Sequence, residues 1–268
     1  MIDNNIHSSL REKYNPDGSP LRNHQMKMLE MLQFIDKICT ENNINYWLSS
    51  GTCLGAIRHG GFIPWDDDVD IEMMRKDYLK FLEVFKETDQ YVLQSHKNDQ
   101  YYFTAFCKVR DKNTSIYDSL YKYRGVFIDI FCLEYTNKTL AYILEKIKLP
   151  IAWHLYNYMK SLNRQSFRFK ICSVLFKLSK SIYFFILPLF RFLTYFCWNN
   201  KLRHTYGVGW TKNIRYEKEI FPTRRVSFEG IMLPVPFHYD SYLRHIFGEY
   251  MTIPNENNIR PPHVQYYS

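Results

Sequence analysis

The chain has 268 residues, of which 46% are hydrophobic and 18% aromatic, so it can build a sizeable core and global disorder is excluded. Thirty-five Lys and Arg against 27 Asp and Glu give a net charge of +8, which suits anionic partners such as nucleotides, pyrophosphate-linked lipids or an acidic membrane surface. No motif of a nucleic-acid module occurs, so nucleic acid is not an expected partner. The six cysteines include no CxxC pair; zinc-ribbon spacing is absent, and buried thiols in a reducing compartment are expected. The opening MIDNNIHSSLREKYNPDG is polar and lacks an apolar run, so the expected location is cytoplasmic.

Residues 1–20 read as a polar lead-in. From Leu21 the pattern turns helical: Met28, Leu32, Ile35 and Cys39 recur at spacings of three and four and form one apolar stripe. Tyr46 to Ser49 suits a short strand, and Cys53 to Arg58 can start a helix, with Gly51 and Thr52 at its N-terminus, where free amides and the helix dipole attract phosphate. Then come four aspartates within five positions, Asp66, Asp67, Asp68 and Asp70. On an extended strand Asp68 and Asp70 point one way while Val69 and Ile71 point into a core. Paired carboxylates of this kind suit a hard divalent cation such as magnesium. A phosphate cradle beside a metal-binding pair is the arrangement for metal-assisted transfer of a phosphate-containing group.

Arg75 to Glu87 reads as an amphipathic helix with Tyr78, Phe81, Leu82 and Phe85 inward, and strands are expected at Tyr91–Gln94, Tyr101–Arg110 and Gly125–Phe131. Lys108 and Arg110 share a face of the second strand, as an ordinary exposed face balanced by Asp111 or as phosphate contacts. In the third, Val126, Ile128 and Ile130 fall on one face and Phe127, Asp129 and Phe131 on the other. A carboxylate between two phenylalanines either meets water at a sheet edge or is compensated by a cation or hydrogen bonds. From Thr136 to about His204 the chain is helix-prone, aromatic and basic, with no clear strand pattern. The run IYFFILPLF is too short to span a bilayer, which needs about 20 apolar residues. The stretch from 171 to 198 is either a buried helical subdomain or a monotopic anchor on anionic lipid. Val226–Pro236 reads as a strand or hairpin, and Tyr239–Phe247 as a short amphipathic helix.

The run GTCLGAIRHGGFIPWDDDVDI resembles the signature of the LicD family, which includes bacterial phosphocholine transferases and fukutin-type proteins. The likeness continues through RKDYLKFLEVF, KVRDKNT, GVFIDIF and FEGIMLPVP to YDSYLRHIFGEYM. The resemblance implies an α+β, nucleotidyltransferase-like catalytic domain with a mixed sheet flanked by helices. That domain is laid out as a core over 21–139, a helical insertion over 140–216 and a closing part over 217–268. It further implies transfer of a phospho-alcohol, phosphocholine first, from a CDP-alcohol donor such as CDP-choline to a glycan or lipid-linked glycan acceptor, with possible peripheral contact at the inner membrane face. Asp68, Asp70 and Asp129 are then the catalytic residues and hold Mg2+ or Mn2+, Asp129 being the third acidic ligand. Gly51, Thr52, Arg58, His59, Lys108, Arg110, Asp66, Asp67 and Glu229 line the substrate. Glu229 also reads as a turn residue, and His263 matches a late family histidine without a role. Two rivals stand beside this reading: a nucleotidyltransferase moving NMP, with the same carboxylates, and an inactive binding or scaffolding protein of the same fold.

Overall fold

The computed structural model describes residues 3–116, 120–208 and 213–259. Where the sequence reads as a lead-in there is a helix, α1 (Asn4–Tyr14), started by Asp3, whose side chain accepts from the Asn5 amide at 2.8 Å. The second helix, α2 (Pro20–Glu41), opens with Ser19 Oγ accepting from the Arg22 amide and with proline at the first helical position, where its missing N–H costs nothing. Its stripe of Met28, Leu32, Ile35 and Cys39 is buried.

The chain then runs β1 (Trp47–Leu48), α3 (Ser50–His59), β2 (Asp70–Met74), α4 (Arg75–Val84), β3 (Tyr91–Gln94), β4 (Cys107–Asp111) and β5 (Phe127–Thr136). Two long helices follow, α5 (Lys138–Lys160) and α6 (Phe167–Thr194), and then β6 (Lys201–His204), α7 (Glu217–Ile220), β7 (Arg224–Phe228), β8 (Ile231–Val235) and α8 (Tyr239–Phe247). Among the described residues the main sheet has six strands in the order β1-β2-β5-β4-β3, with β6 also paired to β5. The β2–β5 pair is parallel and the others antiparallel, so the sheet is mixed, with helices flanking it. The side chains of Val69, Ile71, Met73, Ile128, Ile130 and Cys132 are buried together with the α2 stripe in the largest apolar cluster. The opposite face carries Asp70, Glu72 and Asp129 together with the aromatic side chains of Phe127 and Phe131.

Two further stretches differ from the sequence reading. Of the strand expected over Tyr101–Arg110, only the end is a strand; Phe103 packs instead into a cluster with Tyr156, Phe169 and Phe176 of the long helices. Its aromatic content therefore serves packing against the helix pair. Lys201–His204, inside the region that reads as helix-prone, is β6, with Leu202, Arg203 and His204 buried along β5. The Val226–Pro236 segment is a hairpin whose Glu229 (φ 50°) and Gly230 (φ 83°) are both left-handed, as a two-residue type I′ turn requires.

Candidate active site

Pairing register builds the site. Asp70 on β2 lies opposite Asp129 on β5, and Asp129 lies opposite Lys108 on β4, so an acid, an acid and a base form one row across three neighbouring strands. The Lys108 ammonium is in direct ion-pair contact with the Asp129 carboxylate and sits 3.6 Å from the Phe127 ring centroid. Burial lowers the Lys108 ammonium from its ordinary range, against the opposing pull of Asp129. Asp68 lies two residues before the start of β2, beside the buried Val69, whose carbonyl oxygen accepts from the Asp129 amide.

Helix α3 meets the row from above. Thr52 Oγ1 accepts from the Asp70 amide at 2.9 Å, tying the helix start to the first residue of β2. A Cβ added to Gly51 would stand 3.1 Å from Asp66 Oδ2, so the absence of a side chain there leaves room for that carboxylate at the helix N-terminus. No side chain caps this helix, and Ser50, its first residue, has φ 46°, a strained conformation for a residue other than glycine. Burial, then the charges of Asp68 and Asp67, push the Asp66 carboxyl well up. Burial, then Asp68, Asp129 and Asp66, do the same to Asp70, with Lys108 opposing. Gly51, Thr52, Asp66, Asp68, Asp70, Lys108 and Asp129 are thus brought together.

The donor chemistry fits a hard divalent cation: carboxylate oxygens whose mutual repulsion a positive charge would relieve. Among the described residues, however, no three His, Cys, Asp or Glu groups are arranged to hold a metal ion, so the third acidic ligand expected at Asp129 is not in place; Asp129 pairs with Lys108 instead.

The other expected substrate residues are engaged in holding the frame. Arg58 is buried and donates from Nη1 to the Tyr250 and Thr252 carbonyl oxygens, and from Nε to His59 Nε2 at 2.9 Å. Burial brings Arg58 down to about 10, with Asp66 opposing, and burial and then Arg58 bring His59 down to about 3, so His59 stays neutral as an acceptor. Arg110 donates to Gln94 Oε1 and the Gly125 carbonyl oxygen and lies over the Phe127 ring: it shares the face of Lys108, but its guanidinium is taken up by structure. Glu229 receives both terminal nitrogens of Arg22, at 3.2 and 2.7 Å, and the Phe62 amide, which ties the hairpin turn to the loop before the aspartates. Asp67 is buried, and its carbonyl oxygen lies 3.0 Å from His24 Nε2. His263 lies outside the described residues.

One feature escaped the sequence reading. Glu72 follows Asp70 by two residues, on the same strand face, and is fully buried. It accepts from Trp47 Nε1, Arg215 and Tyr242 OH and touches His204 Nε2 at 3.0 Å, while Tyr242 OH also lies 3.2 Å from Ser49 Oγ. Burial alone would raise the Glu72 carboxyl, but Arg215 and His204 more than offset it and hold it well below the usual range. The alternation that pairs Asp68 with Asp70 also puts Glu72 on that face; Arg215 and His204 carried no comparable signal.

Comparison with known proteins gives a match to the LicD/FKTN/FKRP nucleotidyltransferase domain over residues 43–148. The chain is 29% identical to the lipopolysaccharide cholinephosphotransferase LicD of Haemophilus influenzae, over 91% of this chain and 96% of that protein. Shorter segments match the ribitol-5-phosphate transferase FKTN of Mus musculus (45% over 49 residues, 18% of this chain and 11% of that protein) and the human ribitol 5-phosphate transferase FKRP (40% over 48 residues, 18% and 10%).

Proposed function

Residues 43–148 belong to the LicD/FKTN/FKRP nucleotidyltransferase family, and from that premise we propose that the protein moves a phospho-alcohol, phosphocholine first, from a CDP-activated donor to a hydroxyl of a cell-surface glycan or its lipid-linked precursor. The observation that carries the reading is the Asp70–Asp129–Lys108 row beside the uncapped start of α3. Similarity to transferases of choline phosphate and ribitol phosphate supports the phospho-alcohol as the group moved.

The α3 amides receive a donor phosphate, since the helix dipole and unpaired N–H groups favour an anion there. Mg2+ or Mn2+ would be held by Asp68 and Asp70 and would supply charge neutralisation on the donor pyrophosphate, leaving Asp129, paired with Lys108, for the proton. The acceptor oxygen attacks the phosphorus distal from cytidine, and the bond from that phosphorus to the bridging oxygen breaks. CMP leaves with the bridging oxygen, and the hydroxyl proton passes to the Asp129 carboxylate as general base. Lys108 orients Asp129 for that transfer.

A CDP-alcohol labelled in its distal phosphate tests the reaction. Label on the glycan, with unlabelled CMP released, is the expected result. Label retained on a small phospho-alcohol, with CMP attached to the acceptor, would make the protein a nucleotidyltransferase, and no turnover with any of a panel of CDP-alcohols would favour a binding role.

A further inference from the structure

We propose that the outer face of the α5–α6 helix pair docks flat on an anionic lipid bilayer. This goes beyond the transfer reaction, and its test has no catalytic readout.

Helix α6 is apolar on two sides. Its inner side buries Phe169, Phe176, Tyr183 and Leu187 against α5 and against Phe103 and Tyr206. Its outer side carries Ile171, Val174, Leu178, Ile182, Phe185 and Leu189, spaced three and four apart and exposed, Val174 at 64% and Phe185 at 84%. A continuous exposed apolar stripe needs a cover. At 28 residues the helix is about 42 Å long, and it is long and apolar enough to cross a membrane. It is nonetheless pinned along its length: Lys180 Nζ donates to the carbonyl oxygens of His96, Asp99 and Gln100, and Arg191 Nε to the Glu134 carboxylate. A helix so tied to a polar body lies along a surface and does not cross it.

Charge selects the cover. Between Lys138 and Asn200 there are ten Lys and Arg and one acid, Glu145; outside this stretch 25 basic residues face 26 acidic ones. Nearly the whole positive charge of the protein sits on the helices that expose the stripe. Lys146, Lys160, Arg168, Lys170 and Lys177 are all exposed there. A second copy of the chain would bring two such basic surfaces together, whereas an anionic bilayer neutralises them and covers the stripe at once. The exposed aromatics just beyond the helix, Tyr195 and Trp198, suit the headgroup level.

The docking helix is also packed against the segment that leads to the site. The inner side of α6 packs on Tyr101 and Phe103, and this segment ends at Phe106, whose ring lies 4.5 Å from that of Phe131 and 5.5 Å from the Lys108 ammonium.

Cosedimentation of the full chain with phosphatidylcholine vesicles, with and without phosphatidylglycerol, tests the proposal. Binding is expected only with phosphatidylglycerol and is expected to weaken at high salt. Phe185→Asp and Val174→Asp should each weaken it by about tenfold or more, with melting temperature unchanged. The double variant Lys170→Glu, Lys177→Glu, which leaves the stripe intact, should weaken it as well. Protein that stays in the supernatant at low salt overturns the proposal, as does binding that neither Asp variant changes. A dimer in analytical ultracentrifugation, dissociated by Phe185→Asp and without affinity for vesicles, would assign the stripe to a second copy of the chain.

Discussion

Asp70 stands in a row that favours its function over its stability. Its carboxyl is pushed well up by burial and by the charges of Asp68, Asp129 and Asp66, so the folded protein resists ionising it. An acid whose folded pKa is raised above its unfolded value lowers stability as pH climbs from the ordinary carboxylate range through the folded pKa. Asp70→Asn removes that decline. It is expected to abolish transfer and to raise the melting temperature by a few degrees at neutral pH, the change that about 1 kcal/mol makes in a chain of this size. The gain over the wild type should be small near about pH 4 and should grow toward about pH 8, because only ionised Asp70 is penalised. Thermal melts of the two proteins across that range decide it: a gain that is flat with pH would mean that charge repulsion is not what burdens the site. The pairing of Asp68 with Asp70 was readable in the sequence because strand alternation is local. That Lys108 reaches Asp129 was not, because it depends on the register of two strands separated by fifteen residues.

Among the elements, the strands that carry the site are held in place by Glu72 more than by any residue of the aspartate run. Its carboxylate joins β1 through Trp47, β6 through His204, the segment before α7 through Arg215 and α8 through Tyr242. Glu72→Gln leaves the buried Arg215 guanidinium uncompensated and should cost about 3–5 kcal/mol, roughly 10 °C in melting temperature. Tyr242→Phe removes only the hydroxyl that links Glu72 to Ser49 and should cost about 1 kcal/mol. Equal losses from the two would show that Glu72 matters only through Tyr242. Elements whose evidence is local were legible: Tyr91–Gln94 and Tyr239–Phe247 were read with their observed bounds, and the α2 stripe with its buried residues. Elements shaped by distant packing were not. Tyr101–Phe106 has strand-like aromatics because it faces two helices, and Lys201–His204 is a strand because β5 runs on past its pairing with β4 and takes a third partner there. Glu229 illustrates the same limit within a motif, since its carboxylate answers to Arg22, 207 positions away.

Across the whole molecule, the sheet with its helices and the α5–α6 pair have separate apolar clusters, and polar ties join them. The sheet cluster draws on α2, α3, α4, β2 and β5, so β2 and β5 can open only when the catalytic body does. The helix pair rests on two smaller clusters, and Lys180 is its principal polar tie to the loop after β3. Regions with less buried apolar contact open at lower free energy than the core of the same protein. Native-state hydrogen exchange should therefore show the α5 and α6 amides exchanging through a cheaper opening than those of β2 and β5. Lys180→Met keeps the apolar stem and removes the hydrogen bonds to four carbonyl oxygens, those of His96, Asp99, Gln100 and Tyr102. With about 2 kcal/mol for even one such charged hydrogen bond, the helix-pair amides should exchange at least roughly thirtyfold faster. Those of β2 and β5 should keep their wild-type rates. If sheet and helix pair lost protection together, the protein would unfold as one unit, and the helices would be part of the catalytic body instead of a platform fastened to it.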